Sequence, residues 1–570
     1  MQPGPTLINR CFNAVMPYVS TLVDLPIDPA FGNDCKKKSF GKSSFVCECS
    51  STYCDDVDQD FDTLPGQYVV YTSTKDSLRL FKNTSTLVPD TEGKFGDLRL
   101  TIDRSVRHQT VLGFGGAFTD SATINIMNLS EPVQEHILNS YFSKSGIEYN
   151  LGRIPMASCD FSTRNYSYDD VPGDFELKNF ALEMEDLTYK IPVIKRAMAV
   201  ASRDIKLFGS PWGPPYWMKT NQDMVGGAAL YGEPGGKYYE TWALYFARFI
   251  EEYAKQDIDI WGLTGQNEPT AGEVERYPWQ CLFFNASLQR DFIKMDLGPI
   301  LEERGFGDVK LMILDDQRFL LPGWVETVLN DKEAAKYVSG IGVHWYYDDL
   351  VPATLLSQTH DLFPDYFMLA TEACEGYLPL DAAVILGSWE RGEAYSKDIM
   401  EDMNNFVAGW VDWNLVLDMQ GGPNWVRNFV DAPIIADFDN DTIYKQPMFY
   451  HLGHFSKFVQ PDSVRIGVTT ECVATTGCNK FDSIAFELPD ESGRVATVVL
   501  NRNDKASDIS VCESGVGCIN ANIEARSIQT FVYTNKQSEE VTTPVNSTSI
   551  ASSSYLTTFF DLLLSLLFFV

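Results

Sequence analysis

The sequence predicts an α/β protein whose main body is a (β/α)8, or TIM, barrel flanked by β-structure. Three observations predict it. From Val111 onward, apolar runs of strand length alternate with helical segments, and the alternation occurs eight times. Each run ends in Trp, Asp, Asn, Glu or Tyr, the residue types that gather at the C-terminal mouth of a barrel. Before Val111 and after Val464 the texture changes to short β-runs with turns. The chain has 570 residues, too many for one core, which stops growing at roughly 250–300 residues. Two or three domains are expected.

The eight strand endings are LGFGGAFTD, YNLGRIPMASCDF, KLFGSPWGPPYW, WGLTGQNEP, KLMILDDQ, GIGVHWYYD, FMLATEAC and GWVDWNL. A doubly wound sheet would look similar locally, but the residues collected at the strand ends favour the barrel. The GFGG run, Gly113–Gly116, lacks the third glycine of a dinucleotide fingerprint and reads as a bend in a barrel strand. Between the strands, Tyr238–Gln256 is expected to be helical: Trp242, Leu244, Tyr245, Phe249, Ile250 and Tyr253 follow helical spacing. The barrel is assigned to residues 109–413 and 446–461.

The flanks read as β. Tyr68–Thr72 and Leu98–Ile102 alternate like strands of a sheet with one wet face. Downstream, SVRIGVTT, SIAFELP, RVATVVLNRN and SIQTFVYT are further strands, and alternation in Val495–Leu500 and Thr530–Tyr533 suggests a sandwich. Residues 462–535 are few for a whole domain. They are expected to join residues 59–108 in one immunoglobulin-like β-sandwich through which the chain enters and leaves the barrel.

The termini differ from the body. Residues 1–34 read as an N-terminal extension or signal remnant, without a clean basic, apolar, small-residue signal and with Pro17 breaking the apolar stretch. Residues 536–570 hold a Ser/Thr-rich spacer and the apolar end FFDLLLSLLFFV. That end is shorter than the roughly 20 residues of a spanning helix. It resembles a GPI-attachment signal; a weak membrane tail and a non-native terminus are the alternatives.

Charge and cysteines bound the setting. A formal net charge of −33 repels phosphate backbones, so nucleic acid is not an expected partner. Such acidity fits an acidic compartment, and equally fits general solubility. Cys35, Cys47, Cys49 and Cys54 cluster within one short run, and Cys472/Cys478 and Cys512/Cys518 form close pairs. None has zinc-finger spacing, so local disulfides in an oxidising compartment are favoured. Cys159, Cys281 and Cys374 are read as free, buried thiols; Cys11 stands apart. Sequons at Asn83, Asn128, Asn165, Asn285, Asn440 and Asn546 agree with a secretory route.

The chemistry rests on two glutamates. Asn267-Glu268-Pro269 ends the fourth strand, where a carboxyl can protonate a glycosidic oxygen while an Asn binds the sugar 2-OH. On its own the triplet serves equally as a helix start, Asn capping and Pro in the first turn. Glu372, in FMLATEAC, ends the seventh strand, which faces the fourth across a barrel mouth. Carboxyls so opposed reach about 5–5.5 Å, the spacing of a retaining glycosidase, with Glu372 as nucleophile and Glu268 as acid/base. A structural carboxylate paired with an Arg is the alternative for Glu372, at an expensive place for one.

A sugar site needs flat apolar walls and hydroxyl-binding groups. Trp212, Trp217, Tyr277, Trp279, Trp345, Tyr346 and Trp413 are the aromatic candidates, Asp160 and Asn428 the polar ones. Tyr346 can donate a hydrogen bond to Glu372, and Arg153, in an apolar strand, needs a carboxylate and is a candidate to hold Glu372 ionised. Six His with no H-E-x-x-H give no support for metal hydrolysis; neither a P-loop nor G-x-S-x-G is visible, and no metal or cofactor is expected.

From about Cys35 to Thr534 these residues resemble the glucosylceramidase (acid β-glucosidase) family, in glycoside hydrolase family 30. The blocks GFGGAFTD, GRIPMASCDFS, GSPWGPPYWMKTN, NEPTAG, TEAC, GGPNWVRNFVD and YKQPMFYHLGHFSKF carry the match. The resemblance implies a small antiparallel β module over residues 35–58 with part of 414–445, and disulfides Cys35–Cys47 and Cys49–Cys54. It implies the acid/base pair at Asn267 and Glu268, the nucleophile at Glu372, and glucose-binding roles for Asp160 and Trp212. Tyr346, Trp413 and Asn428 would line the pocket, and Tyr277 and Trp279 its entrance. The implied substrate is glucosylceramide in the lysosome, with a saposin-type activator and anionic lipid as partners. Gln266, Trp279 and Glu375 depart from the family's usual residues, which bears on pH optimum and aglycone fit. A secreted or surface β-glycosidase for other glycans is the second reading, an inactive glycan-binding relative the third; retention of both glutamates argues against the third.

Overall fold

The computed structural model describes residues 34–58, 61–90, 96–473, 477–490 and 493–534. Cys11, the Asn546 sequon and the GPI-like tail lie outside the described residues. Eight parallel strands close into a barrel: β1 (Gly113–Ala117), β2 (Leu151–Met156), β3 (Lys206–Pro211), β4 (Gly262–Thr264), β5 (Lys310–Gln317), β6 (Val338–His344), β7 (Phe367–Glu372) and β8 (Val407–Asn414), with β8 pairing back onto β1. These are the eight runs expected from the sequence.

The strands read as unbroken apolar runs because both faces are buried. Period-two alternation then sorts the inward face into layers. Leu151, Phe208, Met312, Leu369 and Val411 form an apolar floor. Two residues up come Arg153, Ser210, Thr371 and Trp413, and on β5 Asp315, three residues beyond Met312 across an irregularity of register; these residues carry the site. In the GFGG run Gly113 takes φ +136°, and a Cβ there would stand 1.9 Å from Asn150 Oδ1, so only glycine fits. The helix expected over Tyr238–Gln256 spans Lys237–Ala254 and buries Trp242, Tyr245, Phe249, Ile250 and Tyr253. Leu244 is half-buried.

The flanking strands form one nine-stranded sheet drawn from both sides of the barrel. Leu98–Thr110 pairs with Val464–Cys472, and Gln67–Thr74 with Ser527–Thr534. Its inner core holds Leu98, Leu100, Val495, Val499, Ile519 and Phe531. The expected wet face is present on Leu98–Ile102, whose burial alternates, but not on Gln67–Thr74. Val69 and Tyr71 pack on the barrel side, as do Ala496, Val498 and Leu500 of the strand Arg494–Asn501. The sheet is shared between two cores, so alternation there separates two dry faces.

A third, five-stranded sheet runs Lys37–Lys38, Val46–Ser50, Thr442–Lys445, Ile434–Asp437, Val416–Asp418. It is antiparallel except for its last pair, which is parallel. The reason is the connection after Asp418: it crosses the barrel mouth, carrying Asn424 and Asn428, before returning as Ile434–Asp437. Disulfides join Cys35–Cys47, Cys49–Cys54, Cys472–Cys478 and Cys512–Cys518, while Cys159, Cys281 and Cys374 are free and buried. Among the described residues no helix is long and apolar enough to cross a membrane. The sequon asparagines 83, 128, 165, 285 and 440 are all exposed.

Candidate active site

At the C-terminal mouth of the barrel, one pocket of about 360 Å³ is lined by Asp160, Trp212, Asn267, Glu268, Tyr277, Trp279, Tyr346, Glu372, Trp413 and Asn428 together. Residues spread over 269 positions meet because each follows or ends a barrel strand. Two aromatic candidates lie elsewhere. Trp217 packs edge-on against Phe175 and donates its indole N–H to the Asp169 carbonyl. Trp345 is buried against Tyr395 and Trp410. Trp345 sits one position out of phase with the pocket face, which goes to Tyr346, whereas Trp217 lies in the short 3-10 turn Tyr216–Met218, beyond the strand end that places Trp212 in the pocket.

The two glutamates face each other. A carboxylate oxygen of Glu268, one of Glu372 and a ring nitrogen of His344 all lie within 4.8 Å of one another. Glu268 adopts φ +41°, a left-handed conformation that costs a non-glycine residue roughly 1–3 kcal/mol and recurs at functional sites. It occupies the cap position of the short 3-10 helix Pro269–Glu273, yet its side chain makes no capping bond. The triplet is therefore a helix start whose cap position aims its carboxylate into the pocket. Gln317 Nε2 (3.1 Å) and Tyr277 Oη (3.3 Å) donate to it, and Glu268 keeps 19% of its side chain exposed. Asn267 accepts from Arg153 at 2.8 Å.

Glu372 is held on both oxygens. Tyr346 Oη donates to Oε1 at 2.7 Å, and Arg153 Nη1 donates to Oε2. Arg153 is fully buried and also reaches Asp315 (2.9 Å) and Ser210 (3.0 Å). Asp315 in turn accepts from Thr264 (2.6 Å), Thr371 (2.6 Å) and His344 Nε2 (3.0 Å). Burial alone would raise the Asp315 pKa, but Arg153 and His344 hold it well below the usual carboxylate range. For His344, burial opposes the charged ring, while Glu372, Asp315 and Glu268 outweigh it and lift its pKa to about 10. The ring is thus an imidazolium that donates from Nδ1 to Glu268 (3.2 Å) and from Nε2 to Asp315. It ties the two sides of the pocket into one charged network.

The opposite wall is flatter. Trp212 and Trp413 stack with centroids 5.1 Å apart, and Arg153 lies 5.0 Å over the Trp212 ring. Asp160 accepts from Asn428 (3.0 Å) and Asn424 (3.2 Å); burial pushes it up to about 7, with those amides opposing and Glu372 adding to the rise. Tyr277 and Trp279 meet edge-on at 4.7 Å at the entrance. Gln266 donates to the carbonyls of Pro211, Trp212 and Asn267, locking the β3 end to the β4 end. Glu375 sits outside this network; burial lifts it to about 7 against the pull of Arg391.

Asp315, Asp316, Gln317, His344 and Tyr377 also belong to the site, and sequence reasoning passed over them. The available signal for the first four was their place at the ends of KLMILDDQ and GIGVHWYYD; Tyr377 comes from the loop after β7, beyond FMLATEAC. What hid those four is a pair of irregularities in register, at Leu314/Asp316 and at Val343/His344. Leu314 and Asp315 both take positive φ at the first. Such a bulge re-aims side chains, so the adjacent Asp315 and Asp316 both serve the mouth. Asp315→Asn removes the anion between Arg153 and His344, and breaking such a buried pair costs roughly 3–5 kcal/mol. Because its folded pKa is depressed, that stabilisation is present above the unfolded value and persists as pH falls towards the folded one. Urea unfolding at pH 5 should show a much lower midpoint for the variant; an unchanged midpoint would rule the pairing out as a source of stability.

A family model described as the glycosyl hydrolase family 30 TIM-barrel domain matches residues 111–459, and its beta sandwich companion matches residues 462–531. The chain is 48% identical over 502 residues to the lysosomal acid glucosylceramidase of Mus musculus, covering 88% of this chain and 95% of that protein. It is 45% identical over 501 residues to putative glucosylceramidase 4 of Caenorhabditis elegans, covering 87% and 94%. Among solved structures, SrfJ from Salmonella typhimurium matches with TM-score 0.74 at 27% identity, over 82% of this chain and all of that one. The chain belongs to glycosyl hydrolase family 30 and is a glycoside hydrolase.

Proposed function

We propose that the protein is a retaining β-glucosidase that hydrolyses glucosylceramide to glucose and ceramide, with Glu372 as nucleophile and Glu268 as acid/base. The observation that carries this reading is the approach of the two carboxylates to within 4.8 Å across the mouth. That separation suits a retaining pair and leaves no room for the water of an inverting one, which needs roughly 6.5–9.5 Å. Glu372 attacks the anomeric carbon as Glu268 gives its proton to the ceramide oxygen. Glu268 then takes a proton from water, which attacks the same carbon and frees Glu372. Asp160, Asn267 and Asn428 bind the sugar hydroxyls, Trp212 and Trp413 supply its apolar wall, and Tyr277 and Trp279 flank the aglycone.

The substrate is supported by the likeness to the mouse lysosomal acid glucosylceramidase and by the rim. Val274, Phe319 and Tyr347 line the pocket yet are about half exposed; exposed Leu350 follows on the loop of Tyr347, and exposed Leu378 and Leu380 on the loop after β7, beside Tyr377 of the pocket. Exposed apolar groups rimming a cleft suit a lipid aglycone and an anionic membrane surface, with a saposin-type activator as protein partner. Four disulfides and five exposed sequons support passage through the secretory pathway to the lysosome.

Turnover of glucosylceramide should exceed that of an aryl β-xyloside and rise on adding anionic vesicles, and NMR should show β-glucose as the first anomer released. Preference for the xyloside would favour a β-glycosidase for other glycans. α-Glucose as the first product would exclude the double-displacement reading.

A further inference from the structure

Away from the pocket, three acidic side chains converge between the loop after β6 and the helix Trp389–Asn404. Asp398 and Asp402 lie four residues apart on one helix face, and Asp348 comes from the loop. One carboxylate oxygen from each lies within 4.8 Å of the others. A single buried guanidinium serves them: Arg318 reaches Asp348 Oδ2 (3.0 Å) and Asp402 (3.3 Å), and also Glu401 (2.9 Å) at the edge. Trp410 Nε1 donates to Asp398 Oδ2 at 2.9 Å. Lys397 is turned outward to Asp349 (3.0 Å) and Glu401 (4.0 Å). Asp348 keeps 9% of its side chain exposed, and its Oδ1 is buried with no donor.

One positive charge cannot neutralise three buried carboxylates, and ionised carboxylates cannot hydrogen-bond one another. Protonation resolves both problems: a neutral carboxyl in the cluster donates to its neighbour. The loop that this cluster holds is the one that shapes the site. Tyr346 donates to Glu372 two residues before Asp348, Tyr347 lines the mouth, and Asp348 N donates back to the Trp345 carbonyl at 2.9 Å. Arg318 also binds the carbonyls of Asp348 and Val351.

We propose that Asp348, Asp398 and Asp402 are positioning residues: a proton-sharing clasp that keeps Tyr346 on Glu372, so that productive geometry requires the clasp to be protonated. The proposal rests on the reading of Glu372 as nucleophile. Burial raises all three carboxyls; repulsion by Asp398 adds to the rise at Asp348 and Asp402 and repulsion by Glu401 to that at Asp398, with Arg318 opposing at each and the Trp410 N–H and Lys397 opposing at Asp398. A carboxyl whose folded pKa is raised favours the intact arrangement at low pH and withdraws that support as pH rises through the folded value. The clasp therefore loosens between about pH 6 and about pH 9.

The test is the rate of inactivation by 2,4-dinitrophenyl 2-deoxy-2-fluoro-β-glucoside. Its dinitrophenolate leaves without a proton from Glu268, while the Glu372 carboxylate forms the bond to the anomeric carbon. For the unaltered enzyme the rate should fall several-fold between pH 6 and pH 9. Asp398→Asn carries a permanent N–H donor, so its rate should stay nearly level over that range and lie within about threefold of the unaltered enzyme at pH 5. Asp402→Asn serves as the second variant should the first fail to fold. Identical pH dependence in variant and unaltered enzyme would overturn the clasp, as would restoration of the pH 8 rate by calcium chloride alone. Labelling at a residue other than Glu372 would instead overturn the nucleophile assignment, which peptide mapping distinguishes.

Discussion

Glu372→Gln is expected to lower kcat on an aryl β-glucoside by about four orders of magnitude or more while leaving the fold intact. Nucleophilic catalysis divides one difficult displacement into two, and an amide cannot supply the first. The fold should survive because the glutamine oxygen still accepts from Tyr346 or Arg153, and Asp315 continues to neutralise Arg153. In the truncated variant Glu372→Ala, added azide should restore turnover and yield the α-glucosyl azide, since the small anion enters the space that the side chain vacates. A variant retaining even a few per cent of activity would remove Glu372 from the reaction, whatever its place in the pocket.

Glu268→Gln should produce the second largest effect, and its size should depend on the leaving group. General acid catalysis contributes roughly 10²–10⁴-fold, and ceramide, a poor leaving group, should lose most of that. A dinitrophenyl glucoside leaves without protonation, so its first step should slow little and the glucosyl-enzyme should accumulate. In Glu268→Ala, azide should then accelerate turnover and give the β-glucosyl azide, the anomer opposite to that from Glu372→Ala. The pair of azide products separates the two roles even if both variants are slow. Equal losses on both leaving groups would assign Glu268 to binding instead of proton transfer.

Both experiments concern residues that the sequence singles out, for a physical reason. A strand buried on both faces is apolar throughout, so a carboxyl at its end stands out against its background, as Glu372 does in FMLATEAC. Alternation of such strands with helices is equally plain, so the barrel and its mouth can be read along the chain. The aromatic wall is harder. Trp212, Trp413 and Tyr346 reach the pocket while Trp345, next to Tyr346 in the same motif, does not. A change of one position turns a side chain from the mouth to the surrounding core, and composition does not report that phase.

The sequence by itself determined the fold class, the eight strand ends and the two opposed glutamates, because periodicity and polarity contrast are local properties of the chain. Only the tertiary structure decided how those glutamates are held. The Arg153–Asp315–His344 network joins β2, β5 and β6 across the barrel, and two interruptions of register set which side chains enter it. The sharing of one β-sheet between two cores and the convergence of Asp348 on Asp398 and Asp402 were likewise decided there. Hydrogen bonds and charge interactions depend on distances of a few ångströms between residues far apart in the chain, and those distances exist only once the barrel closes.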